Sequence, residues 1–259
     1  MIPAQRRRDI LKVIAAEGSG TIAELSQKYG VSEMTIRRDL KTLEEEGQLQ
    51  YTFGGAVALQ DKPFQPETDY QAKAHLHTEQ KTRLARYAAE NFVDDHDVIV
   101  LEPGTTVAAM AQFLAQREHL TVVTNGLHTT VALQSLLSRA TVICTGGILR
   151  DVSFSFVGPL AEGFFKQFYA RKLFLSGIGF TLDAGLTDPQ MIDTQVKKAM
   201  IAHAEQVIVL LDSSKFGVRS FIPVISAGDI DVLITDEDAP APVVAALHDL
   251  GVDVHLVPQ

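Results

Sequence analysis

Residues 99–110 read "IVLEPGTTVAAM". An apolar run stops, Glu-Pro-Gly-Thr-Thr follows, and a small-residue helix pattern begins. Strand, Gly/Thr turn and helix in that order is how an α/β protein builds an anion site, because free backbone N–H groups at a helix start attract negative charge. Two residues sit awkwardly in that reading. Glu102 is itself an anion, and Pro103 has no N–H to donate. Gly104, Thr105 and Thr106 keep their donors, and the fixed φ of Pro103 stiffens the turn. Glu102 then fits a contact to ligand hydroxyls or to a lysine such as Lys215.

The same alternation continues toward the C-terminus. Apolar strand-like runs, "DVIVLE", "LTVVTN", "ATVICTG", "KLFLSGI", "QVIVLLD", "DVLITD" and "VDVHLV", alternate with helical segments. The pattern predicts a doubly wound, mainly parallel α/β sheet with its ligand at the carboxyl ends of the strands. Polar residues gather at those ends: "LEPGTT" (101–106), "TNGL" (124–127), "TGGILR" (145–150), "SGIGF" (176–180) and "LDSSKFG" (211–217). Small, N–H-rich turns converging on one edge suit an anionic small molecule, and Lys215 supplies a point charge for a phosphate. Each turn alone is equally an ordinary connection, since Gly, Asp and Ser make turns everywhere.

Upstream the periodicity changes. In "RRRDILKVIAAEG", Ile10, Leu11, Val13 and Ile14 form a helical stripe that Gly18 stops. "TIAELSQKYG" opens with Thr21 and Glu24 in capping-box spacing and ends at Gly30. "VSEMTIRRDLKTLEEEG" starts with Ser32 as N-cap, with Met34 or Ile36, Leu40 and Leu43 on one side and Thr35, Arg37, Arg38 and Lys41 more outward. "QLQYTFGGAVAL" has the period of a small hairpin. Two helices about a short Gly turn match a helix-turn-helix whose second helix enters the major groove, where Arg, Ser and Thr meet bases or phosphates. A plain helical bundle with a solvated arginine face has the same periodicity.

Composition limits these readings. The chain has 259 residues, 46% hydrophobic and 21% charged, an ordinary globular balance. Its net charge of −9 is uneven: residues 1–60 hold eight basic and eight acidic residues, leaving fifteen and twenty-four for the rest. Any nucleic-acid surface must therefore be local and lie in the first sixty residues. The single cysteine, Cys144, excludes an intramolecular disulfide framework. No apolar h-region follows the basic start, and no stretch approaches the roughly 20 apolar residues of a membrane span. A cytoplasmic protein without membrane contact is expected. "QDKPFQPETDYQAKAHLH" is polar, carries two prolines and reads as a linker.

Taken together, "IAELSQKYGVSEMTIRRDLKTLEEEGQLQYTFGGAV" resembles the N-terminal winged helix-turn-helix of the DeoR family of bacterial transcription regulators. "GGILR", "SFVGPLAE", "GLTDP", "VKKAM" and "VLLDSSKFG" resemble that family's effector domain, which is similar in fold to the phosphosugar isomerase and CoA-transferase group. The resemblance implies a DNA-binding unit at 1–58, a linker at 59–75 and an effector-sensing, oligomerising α/β unit at 76–259. It further implies a dimeric or tetrameric repressor of a carbohydrate-utilisation operon, binding double-stranded operator DNA and responding to a phosphorylated sugar or related metabolite. Ser32 to Lys41 would be the recognition helix and Gln48 to Gly55 the wing. Arg6, Thr21, Ser32, Glu33, Thr35, Arg37, Arg38 and Lys41 are the expected DNA-facing residues.

For the effector, Gly104, Thr105 and Thr106 would be the phosphate loop, with Lys81, Glu102, Asp212 and Lys215. Thr124, Asn125, Gly146, Gly147 and Lys197 would complete the walls. The chain departs from the family pattern where the loop reads Glu102-Pro103 instead of Asp-Ser. It departs again where Ile178 replaces an acid, and where Gln195 stands for a common Glu. In the wing, Gln50, Tyr51, Thr52 and Phe53 stand where Arg or His is frequent. An altered sugar-facing wall, and an effector other than a common hexose phosphate, are expected.

The rival class is an isomerase-like or CoA-transferase-like enzyme carrying a DNA-binding unit, with Glu102 or Asp212 as its carboxylate. Ile178 at a position that would otherwise be acidic, and the attached DNA reader, argue against it. No catalytic residue or cofactor is expected. His75, His77 and the other six histidines lack ligand spacing, so no metal site is expected. Met34, Phe164 and Phe165 are expected in the core or an interface.

Overall fold

The computed structural model of the protein describes residues 2–17, 19–45, 48–52, 54–58, 67–136 and 138–258. They form two compact units, divided at residues 63 and 64.

The first unit comprises α1 (Pro3–Glu17), β1 (Ser19–Thr21), α2 (Ile22–Tyr29), α3 (Glu33–Glu45), β2 (Leu49–Thr52) and β3 (Gly55–Ala58). Local signals set the helix ends. The Thr21 hydroxyl accepts from Glu24 N, Glu24 reaches back to Thr21 N at 3.0 Å, and Gly30 stops α2 at φ 62. At the next helix the Ser32 hydroxyl accepts from Thr35 N at 3.3 Å. Ile10, Ile14, Ile22, Leu25, Ile36, Leu40, Leu43 and Leu49 share one core. Of the two alternatives at the start of α3, Ile36 is buried and Met34 is 66% exposed, so Met34 is not a core residue. The antiparallel order β1-β3-β2 completes a winged helix-turn-helix.

In the second unit the expected strands pair as a seven-stranded sheet. They are β4 (Val98–Leu101), β5 (Thr121–Thr124), β6 (Thr141–Cys144), β9 (Ala170–Leu175), β12 (Ala204–Leu210), β14 (Val232–Asp236) and β15 (Asp253–Val257). The order is β15-β14-β12-β9-β4-β5-β6, and every pairing is parallel. Residues alternate between two cores: Val100, Leu173 and Val209 face one, and Leu101, Phe174 and Leu210 the other. A sheet covered on both faces explains the near-continuous apolar runs.

Short antiparallel pieces decorate the sheet: β7 (Ile148–Leu149) with β8 (Phe156–Val157), and β11 (Gly185–Asp188) between β10 (Gly179–Thr181) and β13 (Ile222–Ile225). Covering helices include α5 (Thr78–Phe92), α6 (Thr105–Ala108), α7 (Leu127–Ala132), α8 (Pro159–Phe165), α9 (Met191–Ile201) and α10 (Ala241–Asp249). Phe165 is buried, and Phe164 packs partly buried against the same core.

Of the expected linker, 59–66 lies outside the described residues. Residues 67–75 belong to the second unit instead, because Asp69 caps a helix, α4 (Tyr70–His75), by accepting from Gln71 N and Ala72 N. Among the described residues no helix is long and apolar enough to cross a membrane.

Candidate functional site

The chain runs outward from β4 through β5 to β6, then returns to place β9 on the other side of β4. Ligands of open α/β sheets bind where the order reverses, off the strand carboxyl ends. That point lies between the loops after β4 and β9, and a cleft of about 790 Å³, counted to its open mouth, opens there.

Its lining comes chiefly from five segments, with Ser153 of the loop 150–155 and Asp188 to Gln190 at the end of β11 beside them. Pro103 to Thr106 follow β4, Ser176 to Ile178 follow β9, Lys215 follows β12, and α9 presents Asp193 and Lys197. The fifth wall is Glu67, Tyr70, Lys73, Leu76, His77 and Lys81. Gly104 is required by close approach: a Cβ there would collide with Ser176 Oγ and lie 2.6 Å from Glu102 Oε1.

Glu102 is only 2% exposed. It accepts from Ser176 N at 2.7 Å and Ser176 Oγ at 3.0 Å, tying the loop after β4 to the loop after β9. Its lysine is Lys197, at 3.5 Å, and not Lys215. Lys197 also meets Asp188 Oδ2 at 2.6 Å and donates to Ser176 O at 2.8 Å. Burial opposes its charge, but Asp188 and Glu102 outweigh that and hold its pKa above the ordinary lysine value. Asp188 accepts from Ile178 N at 3.1 Å, so a carboxylate reaches the wall where the sequence lacks an acid. Gln195 is exposed on α9 and does not line the cleft, so that departure leaves the wall unaltered.

The lysine end differs. Lys81 is buried, and its Nζ donates to Lys73 O. Burial lowers its pKa to about 8, with Lys215 and Lys73 pushing the same way and Asp212 opposing. Lys73 is also lowered, by burial and then by Lys197. Asp212 caps the turn at 213–215 by accepting from Ser214 N at 3.2 Å, and its Oδ2 is buried with no hydrogen-bond partner among the described residues. It is not in the lining and sits behind it as a counter-charge. Burial and Glu102 raise Tyr70 to about 12, which keeps its hydroxyl neutral.

The structure thus brings Lys81, Glu102, Gly104, Thr105, Thr106, Lys197 and Lys215 to one cleft, and leaves four expected wall residues out. Thr124 accepts from Gly126 N, and the Asn125 amide donates to Phe156 O at 2.9 Å. Gly146 and Gly147, both at positive φ, lie in the connection from β6 to β7. Strands β5 and β6 stand beyond β4, away from the reversal, so their ends do not reach the cleft. The cleft also draws on Glu67, Tyr70, Lys73, His77, Ser153, Asp188 and Asp193, which the sequence does not single out as ligand-facing, and on Ser176 of the strand-end turn "SGIGF". Asp188 lies inside "GLTDP", and Glu67, Tyr70 and Lys73 lie inside the expected linker at 59–75.

On the first unit, Ser32, Glu33, Arg37, Arg38 and Lys41 are exposed along α3. Thr35 is half-buried and shares a 3.0 Å hydroxyl contact with Ser32, and Arg37 lies 3.6 Å from Glu33. Arg6 faces inward: its Nε meets Asp39 Oδ2 at 2.6 Å with both side chains buried, bracing α1 on α3. Thr21 is spent on its cap. Arg6 is therefore not a DNA-facing residue on this geometry, whereas Thr21 stays exposed while making its cap.

Residues 6–62 match the DeoR-like helix-turn-helix domain, and residues 76–237 match the DeoR C terminal sensor domain. The chain is 38% identical over 258 residues to the uncharacterized HTH-type transcriptional regulator YulB of Bacillus subtilis, covering 100% of this chain and 98% of that one. It is 33% identical to the HTH-type transcriptional regulator GolR of Listeria innocua, covering 99% of both. It is also 33% identical to a putative aga operon transcriptional repressor of Escherichia coli O157:H7, covering 98% and 94%. Among solved structures it is similar to the full-length sorbitol operon regulator SorC of Klebsiella pneumoniae, at TM-score 0.39 and 13% identity over 100% and 97% of the chains. With a winged helix-turn-helix ahead of a parallel α/β sensor unit, and both domain models matched in order, the chain belongs to the DeoR family of transcriptional regulators.

Proposed function

We propose that the protein is a cytoplasmic repressor of a carbohydrate-utilisation operon, with a phosphorylated sugar or related metabolite as its effector in the cleft of the sensor unit. The observation that carries this reading is the lysine end, where the single counter-charge Asp212 only partly offsets the lysines. Lys81 and Lys215 repel one another beside the loop of Gly104, Thr105 and Thr106, where a phosphate would relieve both. The carboxylates Glu102, Asp188 and Asp193 then offer remaining lone pairs to sugar hydroxyls. Glu102 and Asp188 are already held by Lys197 and backbone amides, which suits a binding wall better than a proton-transferring base. The reading is accordingly non-enzymatic.

Operator contact belongs to α3, with Arg37, Arg38 and Lys41 outward and Ser32 and Thr35 at its start. Half-sites related by symmetry call for a homodimer or tetramer. Calorimetric titration with phosphorylated and free sugars tests the cleft: phosphorylated compounds are expected to bind and their free counterparts are not. Equal binding of both would remove the phosphate assignment, and tight binding of an ordinary hexose phosphate would remove the expectation of an altered sugar wall. For the DNA half, Arg38→Ala is expected to weaken operator binding by about 1–3 kcal/mol with cleft titrations unchanged. Unaltered operator affinity would take Arg38 out of the interface.

A further inference from the structure

Glu67 is the first described residue after 59–66, the stretch of chain joining the two units. Its side chain is only 12% exposed, because Arg150 holds it in a fork: Nη1 to Oε1 at 2.8 Å and Nη2 to Oε2 at 2.6 Å. Two parallel charge-assisted bonds fix orientation as well as distance. The same Nη1 also bonds Asp193 Oδ2 in the first turn of α9, and Asp193 Oδ1 accepts from Ser155 Oγ at 2.5 Å. Next to this clamp, Tyr70 N donates to Val152 O at 2.9 Å, and the Tyr70 ring stacks on His128 at 4.4 Å. Tyr70 is buried yet belongs to neither core cluster of the sheet. Residues 67–71 are thus docked on the loop 150–155 and on His128 of α7 by polar and aromatic contacts.

We propose that Arg150 is a positioning residue: by clamping Glu67 to Asp193 it fixes where the chain leaves the sensor unit on its way to the DNA reader. Two readers in an oligomer must reach half-sites a set number of base pairs apart. The effective concentration of the second reader depends on the length and stiffness of what joins it to the first. With the clamp shut, that path begins at Glu67. With it open, the chain is next held at Tyr70, through its N–H to Val152 O and its ring on His128, so the exit point moves and the path lengthens by the residues from Glu67 to Tyr70. Glu67 and Asp193 both line the cleft, so a ligand group bonded to either carboxylate changes the balance of forces on Arg150. This is the differential contact that a ligand needs in order to shift a two-state equilibrium.

This inference rests on the reading of the cleft as the effector site only for its link to ligand; the positioning role is testable without ligand. A duplex with two half-sites is selected from a random pool by the wild-type full-length protein. Binding is then measured on that duplex, on versions with two to five base pairs inserted between the halves, and on a single half-site. Arg150→Ala is expected to bind the selected duplex several-fold more weakly and the single half-site as wild type does, with a flattened dependence on half-site spacing. Glu67→Gln, which keeps volume and removes the charge, is expected to do the same, and the double variant no more than either alone. Arg150→Lys, retaining charge without the fork, is expected to restore spacing dependence only in part. Wild-type affinity and spacing dependence in both single variants would overturn the proposal. So would equal losses on half-site and full site, or selection of an undivided site. Failure of the cleft reading shows separately, as an absence of sugar-phosphate binding to the wild type.

Discussion

At one end of the cleft Lys81 and Lys215 stand close enough to repel, with the buried Asp212 as their counter-charge; at the other, Glu102, Asp188, Asp193 and Glu67 share Lys197 and Arg150. Similar residues do opposite work in the two places. The acid end is satisfied before any ligand arrives, and its cations serve to hold carboxylates in place. The lysine end carries unbalanced positive charge in a buried setting, a condition that an arriving anion improves. Burial alone therefore does not tell a structural ion pair from a receiving site; the pairing of the charges does.

The largest expected effect comes from breaking the satisfied end. Lys197→Met keeps much of the side-chain volume but leaves Asp188 and Glu102 without their buried cation, and a loss of about 3–5 kcal/mol is expected for such a change. Urea unfolding of the sensor unit measures it, and a loss below about 1 kcal/mol would mean that the acid end is not held by this lysine.

A smaller effect sharpens the contrast at the other end. Lys81 has a folded pKa of about 8 against an ordinary 10.5. Between those values the unfolded chain binds the more protons, so this group's contribution to stability rises with pH across that window. A phosphate favours the charged lysine and reverses the depression. Binding near pH 8 is then expected to take up about half a proton, seen as a dependence of the calorimetric heat on buffer ionisation enthalpy. Lys81→Met is expected to remove that dependence, and its persistence would assign the proton to another group.

The strands and the reader were legible in the sequence because their signals are local. Apolar runs bounded by polar turns identified seven strands, and capping residues such as Thr21 and Ser32 marked helix starts. Sheet order was not legible: the turns at Thr124–Asn125 and Gly146–Gly147 have the same chemistry as the loop at Gly104. Only the reversal between β4 and β9 decides which of them meet. The wall at 67–77 was hidden for a different reason. α4 has six residues, too few for a period; Arg150 holds Glu67 just ahead of it and Tyr70 stacks on His128, each across more than fifty positions of chain. Arg6 shows the converse failure, since a basic residue beside an expected reader helix braces the fold through Asp39.

The opening loop gains a divided role. Gly104, Thr105 and Thr106 face the cleft, while Glu102 stitches two strand ends together and reaches Lys197. The most direct test of the account is the response of operator binding to a sugar phosphate active on the wild type, measured on Lys215→Ala. The variant is expected to bind operator with wild-type affinity and to ignore that compound at concentrations at least tenfold above those that act on the wild type, since a lost charge-assisted contact costs about 1.5–3 kcal/mol. A normal response from Lys215→Ala would contradict the placement of the effector phosphate at the lysine end of this cleft.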